Sequence, residues 1–218
     1  MIFLKRPWGQ FKPTIGYGID WGDPINEKLM GYWVMNEGTG NVLFDSARIC
    51  APATKIGTTT VWSNGMSGPG LRFDGTNGRY EVPATPILSR SHTQVSVAAW
   101  VFFPNTIDVE STSDGYFDQT SGGSTNSCYQ LFHLNTTVIF RQGAGTDASG
   151  AVSNAVNRGR WNFLVGTINS TTPRGCVYVN GVLGATVSSP AATASVTGVA
   201  KIGSLGNDIF FVNGSIDS

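Results

Sequence analysis

The run Val95-Ser96-Val97-Ala98-Ala99-Trp100-Val101-Phe102-Phe103-Pro104 constrains this chain more than any other stretch. Eight of its ten residues are apolar with the proline counted apart, and only Ser96 offers anything to water. Read as a strand, it puts Val95, Val97, Ala99, Val101 and Phe103 on one face and Ser96, Ala98, Trp100 and Phe102 on the other. Both faces then require cover, the pattern of a central strand in a layered β-structure. A buried helix is the rival reading. Ten residues closed by Pro104 and rich in β-branched and aromatic types favour the strand. Trp100, and Trp161 at the head of a second apolar run, are expected to be largely buried.

Composition supports an all-β chain. Only 13% of residues are charged and 28 are glycine, which suits many short strands joined by tight turns. A hydrophobic share of 40% with six tryptophans is enough for a core. The formal net charge is zero, so neither nucleic acid nor a membrane surface is expected as a partner. No stretch approaches the roughly 18 apolar residues of a membrane span. Lys5 and Arg6 follow an apolar start, the reverse of an export signal, so none is expected. Cys50, Cys128 and Cys176 have no zinc spacing. Three buried thiols are expected, with one disulfide plus a free thiol left open.

Residues 1–28 differ from the rest. Phe3, Trp8, Phe11, Tyr17 and Trp21 follow no period, and prolines and glycines interrupt any regular element. This reads as an extended arm that either lies over its own domain or docks on another subunit, with Arg6, Trp8, Phe11 and Trp21 as the candidate contacts. From Leu29 the pattern tightens. Strands are expected at Leu29 to Met35, Thr54 to Trp62, Leu71 to Phe73, Tyr80 to Val82, Cys128 to Leu134, Thr137 to Arg141, Trp161 to Ile168, Cys176 to Val179, Val199 to Ile202 and Phe210 to Ile216. Asn180-Gly181 marks a tight hairpin turn, and Asn105 to Asn126 reads as a long polar loop. The number and spacing of these strands argue for a two-sheet antiparallel β-sandwich.

Several of these blocks also carry a family likeness. Gly31-Tyr32-Trp33-Val34-Met35-Asn36-Glu37-Gly38-Thr39-Gly40 with Phe44-Asp45-Ser46 resembles the opening of a laminin-G-like domain. Gly70 to Gly75, Arg79 to Pro83, Val97 to Val101, Gly159 to Val165, Val177 to Gly181 and Asn213 to Asp217 resemble the later blocks in the right order. The chain from 29 to 218 is thereby similar to the concanavalin-A-like lectin/glucanase superfamily, whose jelly roll the strand reading reaches independently. The chain stops soon after the Gly-Ser-Ile-Asp block, so a last strand is expected to be missing. The start Phe3-Leu4-Lys5-Arg6-Pro7-Trp8, with Gly18-Ile19-Asp20-Trp21, resembles the starts of phage-encoded proteins with this domain.

The resemblance implies a structural calcium ion where the first turn meets the last strand. Matched residue by residue, its ligands would be Asp217, Glu37 and Asp45, with carbonyls near Gly38. The other reading of Asp217 is a turn carboxylate that caps backbone N–H groups.

Catalytic chemistry is poorly provided for. Glycosidases of the superfamily carry Glu-x-Asp-x-Glu on one strand, and the nearest match, Asp108-Val109-Glu110, lies in a polar stretch without the third acid. His92 and His133 have no Cys or Ser neighbour that forms a nucleophile motif, and both read as surface or core histidines. The expected protein is therefore not an enzyme. The leading reading is a phage virion protein that decorates a capsid or tail. It would be assembled in the host cytoplasm and would bind other virion proteins or copies of itself, with surface glycans as a further partner. The alternative is a carbohydrate-binding or adhesion module of a cellular protein.

Overall fold

The computed structural model describes residue 12 and residues 18–105, 113–120, 127–134, 137–142, 156–170, 174–187, 196–206 and 210–218. Among these, the strands are β1 (Val42–Leu43), β2 (Ala53–Ile56), β3 (Val61–Asn64), β4 (Pro69–Asp74), β5 (Arg79–Val82), β6 (Gln94–Phe103), β7 (Ser113–Thr120), β8 (Ser127–Leu134) and β9 (Thr137–Gln142). They continue as β10 (Arg160–Asn169), β11 (Arg174–Val179), β12 (Val182–Val187), β13 (Ala200–Ile202), β14 (Ser204–Leu205), β15 (Phe210–Phe211) and β16 (Asn213–Asp217). Among the described residues, helical structure is confined to a single turn at Pro24–Asn26 and a four-residue helix, α1 (Pro86–Ser89). No described helix is long and apolar enough to cross a membrane.

Two seven-stranded antiparallel sheets face each other. One has the order β1-β2-β5-β13-β7-β8-β9 and the other β12-β11-β10-β6-β16-β4-β3. The second is built around β6, which pairs with β10 over its whole length, from Gln94↔Asn169 to Phe103↔Arg160. Val95, Val101 and Phe103 of β6 and Leu164 and Ile168 of β10 point into the space between the sheets. They meet Tyr129, Leu131 and Phe140 of the facing sheet there. Gly166, central in β10, is required by this approach, because a Cβ there would collide with the Phe140 ring. Burial of this apolar surface is the main force holding the layers together.

The two faces of β6 differ from the expectation. The outer face is only half covered, and Trp100 and Trp161 lie on it rather than in the core. Each is shielded by a cross-strand phenylalanine, Trp100 by Phe163 at 5.0 Å between ring centroids and Trp161 by Phe102 at 5.8 Å. Both expected tryptophan positions therefore belong to a half-buried aromatic stripe.

Three further segments depart from the sequence reading. Residues 29–35 form no strand. Only Trp33 makes a bridge, to Asp45. The expected Thr54 to Trp62 strand divides at Gly57, whose φ of 79° turns the chain from one sheet into the other. The supposed loop after β6 contains β7, a fully interior strand between β13 and β8. Its acids hid it. Asp118 is buried with one oxygen 2.7 Å from the Gln130 amide and the other 2.7 Å from the Gly206 N–H. The closing strand β16 is also interior, hydrogen-bonded to β4 on one side and β6 on the other. The tight turn at Asn180-Gly181 forms as the sequence requires, with φ of 53° and 80°. All three cysteines are buried free thiols.

Candidate functional site

The three carboxylates singled out by the sequence take different roles. Asp45 is buried, and both its oxygens are used by backbone N–H groups. One accepts from Tyr32 at 2.8 Å and Ala47 at 2.9 Å, the other from Ile49 at 2.9 Å and Cys50 at 2.7 Å. It organises the 45–50 turn. Glu37 accepts from the Phe44 N–H at 2.8 Å through Oε1. Asp217 lies at the end of β16, opposite Trp100 in the sheet register, with its side chain fully buried.

Lys12 reaches Asp217. Its ammonium forms an ion pair with Asp217 Oδ1 and donates to the Met35 carbonyl at 2.9 Å and to the Pro69 carbonyl. Its own backbone N–H donates to Ser67 at 3.2 Å. Asp217 Oδ2 accepts from the Met66 N–H at 2.7 Å, and Oδ1 accepts from Ser218 at 2.8 Å. Burial lowers the Lys12 pKa and raises that of Asp217, and the attraction between them offsets part of each shift. Both side chains are at most 5% exposed. One carboxylate and two carbonyls make an oxygen set of the kind a hard cation takes. Here an ammonium occupies its centre. Asp45 has no oxygen left to give, and no three His, Cys, Asp or Glu side chains among the described residues are grouped to hold a metal. The Lys12 ammonium thus fills the place among these oxygens, while Glu37 keeps one buried oxygen, Oε2, without a hydrogen-bond partner.

Beside this pair lies an open groove of about 640 Å³, lined by Gly38, Trp62, Ser63, Asn64, Gly65, Gly68 and Pro69. Trp62 sits on β3, the edge strand of its sheet, where it is half buried. Its indole N–H donates to the Gly40 carbonyl at 2.9 Å, which fixes the ring. Ser63 and Asn64 are exposed. The bend that follows folds around Asp217. Gly65 donates to Gly68 at 2.6 Å, and a Cβ at Gly65 would collide with the Asp217 carboxylate. The groove thus combines a fixed aromatic ring with free hydroxyl and amide groups, a combination that recognises ligands with both apolar and hydroxylated faces.

The sequence had not singled out Lys12 or Trp62 for this site. A tryptophan in an edge strand beside Ser and Asn was the available signal for the groove. For Lys12 there was none, since its partners, the Asp217 carboxylate and two backbone carbonyls, are far away in sequence. Of the proposed arm contacts, Trp21 is 49% exposed, while Arg6, Trp8 and Phe11 lie outside the described residues. Asp108 and Glu110 lie outside them too. His92 is buried with Nε2 2.8 Å from the Ile87 carbonyl, and His133 is buried between Tyr116 and Phe103.

No curated protein sequence matches the chain. Among the solved structures that share its fold, three illustrate the range. Domain 4 of AbnA, a GH43 extracellular arabinanase from Geobacillus stearothermophilus solved with arabinotriose, superposes with a TM-score of 0.57 at 19% identity, over 79% of this chain and 82% of that one. The binding domain of botulinum neurotoxin DC solved with SialylT gives 0.61 at 15% identity, over 87% of this chain and 47% of that one. Trypanosoma rangeli sialidase gives 0.55 at 15% identity, over 85% of this chain and 29% of that one. The chain thus spans less than half of the neurotoxin domain and under a third of the sialidase. At these identities the likeness is one of fold. A family profile matches residues 74–218, well over half of the sequence, and with the two facing sheets it places the chain in the concanavalin A-like lectin/glucanases superfamily.

Proposed function

We propose that this protein is a non-enzymatic carbohydrate-binding module whose glycan site is the groove beside Trp62. The fixed indole at the groove edge, next to the exposed Ser63 and Asn64, carries the reading. A pyranose ring has an apolar C–H face that stacks on an aromatic ring and hydroxyls that bond amides and hydroxyls. Pre-fixing the ring reduces the ordering cost of binding. The arabinotriose and SialylT bound by two proteins of this fold support the same ligand class. Hydrolysis would need two free carboxylates flanking a sugar bond. Asp217, bonded to the Met66 N–H of the bend beside the groove, is buried and held by Lys12, and Glu37 beside Gly38 accepts from the Phe44 N–H, which supports binding without cleavage.

A glycan array probed with the wild type, Trp62→Ala and Asn64→Ala tests the proposal. The wild type should bind a defined glycan set, and each variant should lose at least ~10-fold in affinity with the fold intact by circular dichroism. An array blank for the wild type, or binding unaffected by both substitutions, overturns it.

A second, finer reading has the module on the surface of a phage virion. Trp21 at 49% exposure and Ile25 at 79% support it, as apolar groups available to another subunit. Co-sedimentation with capsids or tails of a host-range phage checks it, and a protein that stays in the supernatant counts against it.

A further inference from the structure

The Lys12 ammonium closes contacts among three segments distant in sequence. It holds the Met35 carbonyl at the end of the 29–35 segment, the Pro69 carbonyl in the 64–69 bend, and Asp217 on the closing strand. Met35 adopts a φ of 55°, a conformation unfavourable for a residue with a side chain, while its carbonyl accepts from Lys12. The Lys12 backbone ties to Ser67 in the same bend. Two of the segments held in this way, at Gly38 and at Gly65 to Pro69, line the groove. Neither Lys12 nor Asp217 does.

We propose that Lys12 is a positioning residue for the groove, a tethered cation that takes the place a metal ion would occupy and fixes the 64–69 bend against the Gly38 turn. Its link to glycans rests on the binding function proposed above. Its structural part stands on the contacts alone. Three consequences follow. The groove is independent of divalent cations. It depends on a residue from the N-terminal arm. Lys12 therefore contributes to binding without touching the ligand.

The test uses the full-length chain as wild type, Lys12→Met, and the double variant Lys12→Met/Asp217→Asn, which leaves no unpaired buried carboxylate. Thermal melts of the wild type are run with EDTA and with calcium chloride. Hydrogen exchange is followed at the Gly65, Met66 and Ser67 amides and, as a folding control, along β10. Immobilised arabinotriose and a sialylated trisaccharide serve as glycan probes. We expect wild-type melting to be unmoved by either addition. Exchange in the bend should be at least ~10-fold faster in the double variant, with β10 unchanged, and binding of whichever probe the wild type holds should be lost. A fall in wild-type melting temperature of more than about 4 °C with EDTA overturns the proposal. So does unchanged exchange in the bend of the double variant, or undiminished binding by it. If the wild type binds neither probe, the glycan reading loses support while melting and exchange still decide the role of Lys12.

Discussion

His133 Nε2 lies 4.0 Å from Asp114 Oδ2, both side chains being almost wholly out of solvent, and the two titrate in opposite senses. Loss of solvation raises Asp114 to about 6, with the Asn213 N–H acting the other way. Loss of solvation, helped by the charge of Arg158, lowers His133 to about 4. A raised acid favours the fold when protonated. Its contribution is present below pH 3.8 and is lost as pH rises to about 6. A lowered histidine favours the fold when neutral, so its contribution is present above pH 6.5 and is lost as pH falls to about 4. Between about 4 and 6 these slopes oppose each other. Asp114→Asn should leave the histidine term alone, so that stability falls as pH drops through that window by up to ~1.4 kcal/mol per pH unit. Urea denaturation at several pH values measures it. A pH profile parallel to that of the wild type would remove the pair from the account.

Asp45 should be among the most sensitive positions in the chain. Its carboxylate satisfies four backbone N–H groups, so Asp45→Ala strands buried donors and is expected to cost about 3–5 kcal/mol. Asp45→Asn should be nearly as costly, because an amide turns its own donors toward two of those N–H groups. A melting temperature for Asp45→Asn within a degree or so of wild type would contradict this role.

The outer-face tryptophans should contribute less to stability than the core positions of the same sheet. Trp100 is half buried and paired with Phe163 at 5.0 Å, so Trp100→Ala loses one aromatic pair and part of a burial. About 1–3 kcal/mol is expected. Leu164→Ala, at a fully buried core position of β10, should cost more, about 2–5 kcal/mol. Chemical denaturation of the two variants decides the order, and the reverse order would place Trp100 in the core after all.

What the sequence made legible follows from which forces are local. The apolar alternation of β6 and β10 and the Asn180-Gly181 turn reveal themselves residue by residue, because face and turn type are set by neighbours in the chain. Strand β7 escaped, since Asp114 and Asp118 look like loop residues until Gly206, Gln130 and Asn213 arrive from elsewhere to satisfy them. The position of Trp100 was half legible. The pattern assigned its face but could not say how much lies over that face. Among the site residues, Glu37 and Asp217 were visible as family positions. The cation beside Asp217 was not, because Lys12 is joined to it across nearly the whole chain.

The Trp161-Asn162 pair yields the last expectation. In sequence the tryptophan looks like the anchor, but Asn162 is the fully buried member. Its Oδ1 accepts from the Asn157 N–H at 2.9 Å and from the Asn180 amide at 3.0 Å. Its Nδ2 donates to the carbonyls of Asn157 at 2.8 Å and Arg160 at 3.1 Å. Every hydrogen-bonding position of the side chain is filled, and the bonds join the entry to β10 with the β11–β12 turn. Such a network is costly to break in part, because each orphaned partner stays buried. Asn162→Ala should cost about 2–4 kcal/mol. Asn162→Asp should not rescue it, since a carboxylate has no donors for the two carbonyls and would bring a buried charge. Amide exchange at Asn157 should quicken in both variants. If Asn162→Asp instead keeps wild-type stability at neutral pH, the two donor bonds are dispensable and the turn is held by its backbone alone.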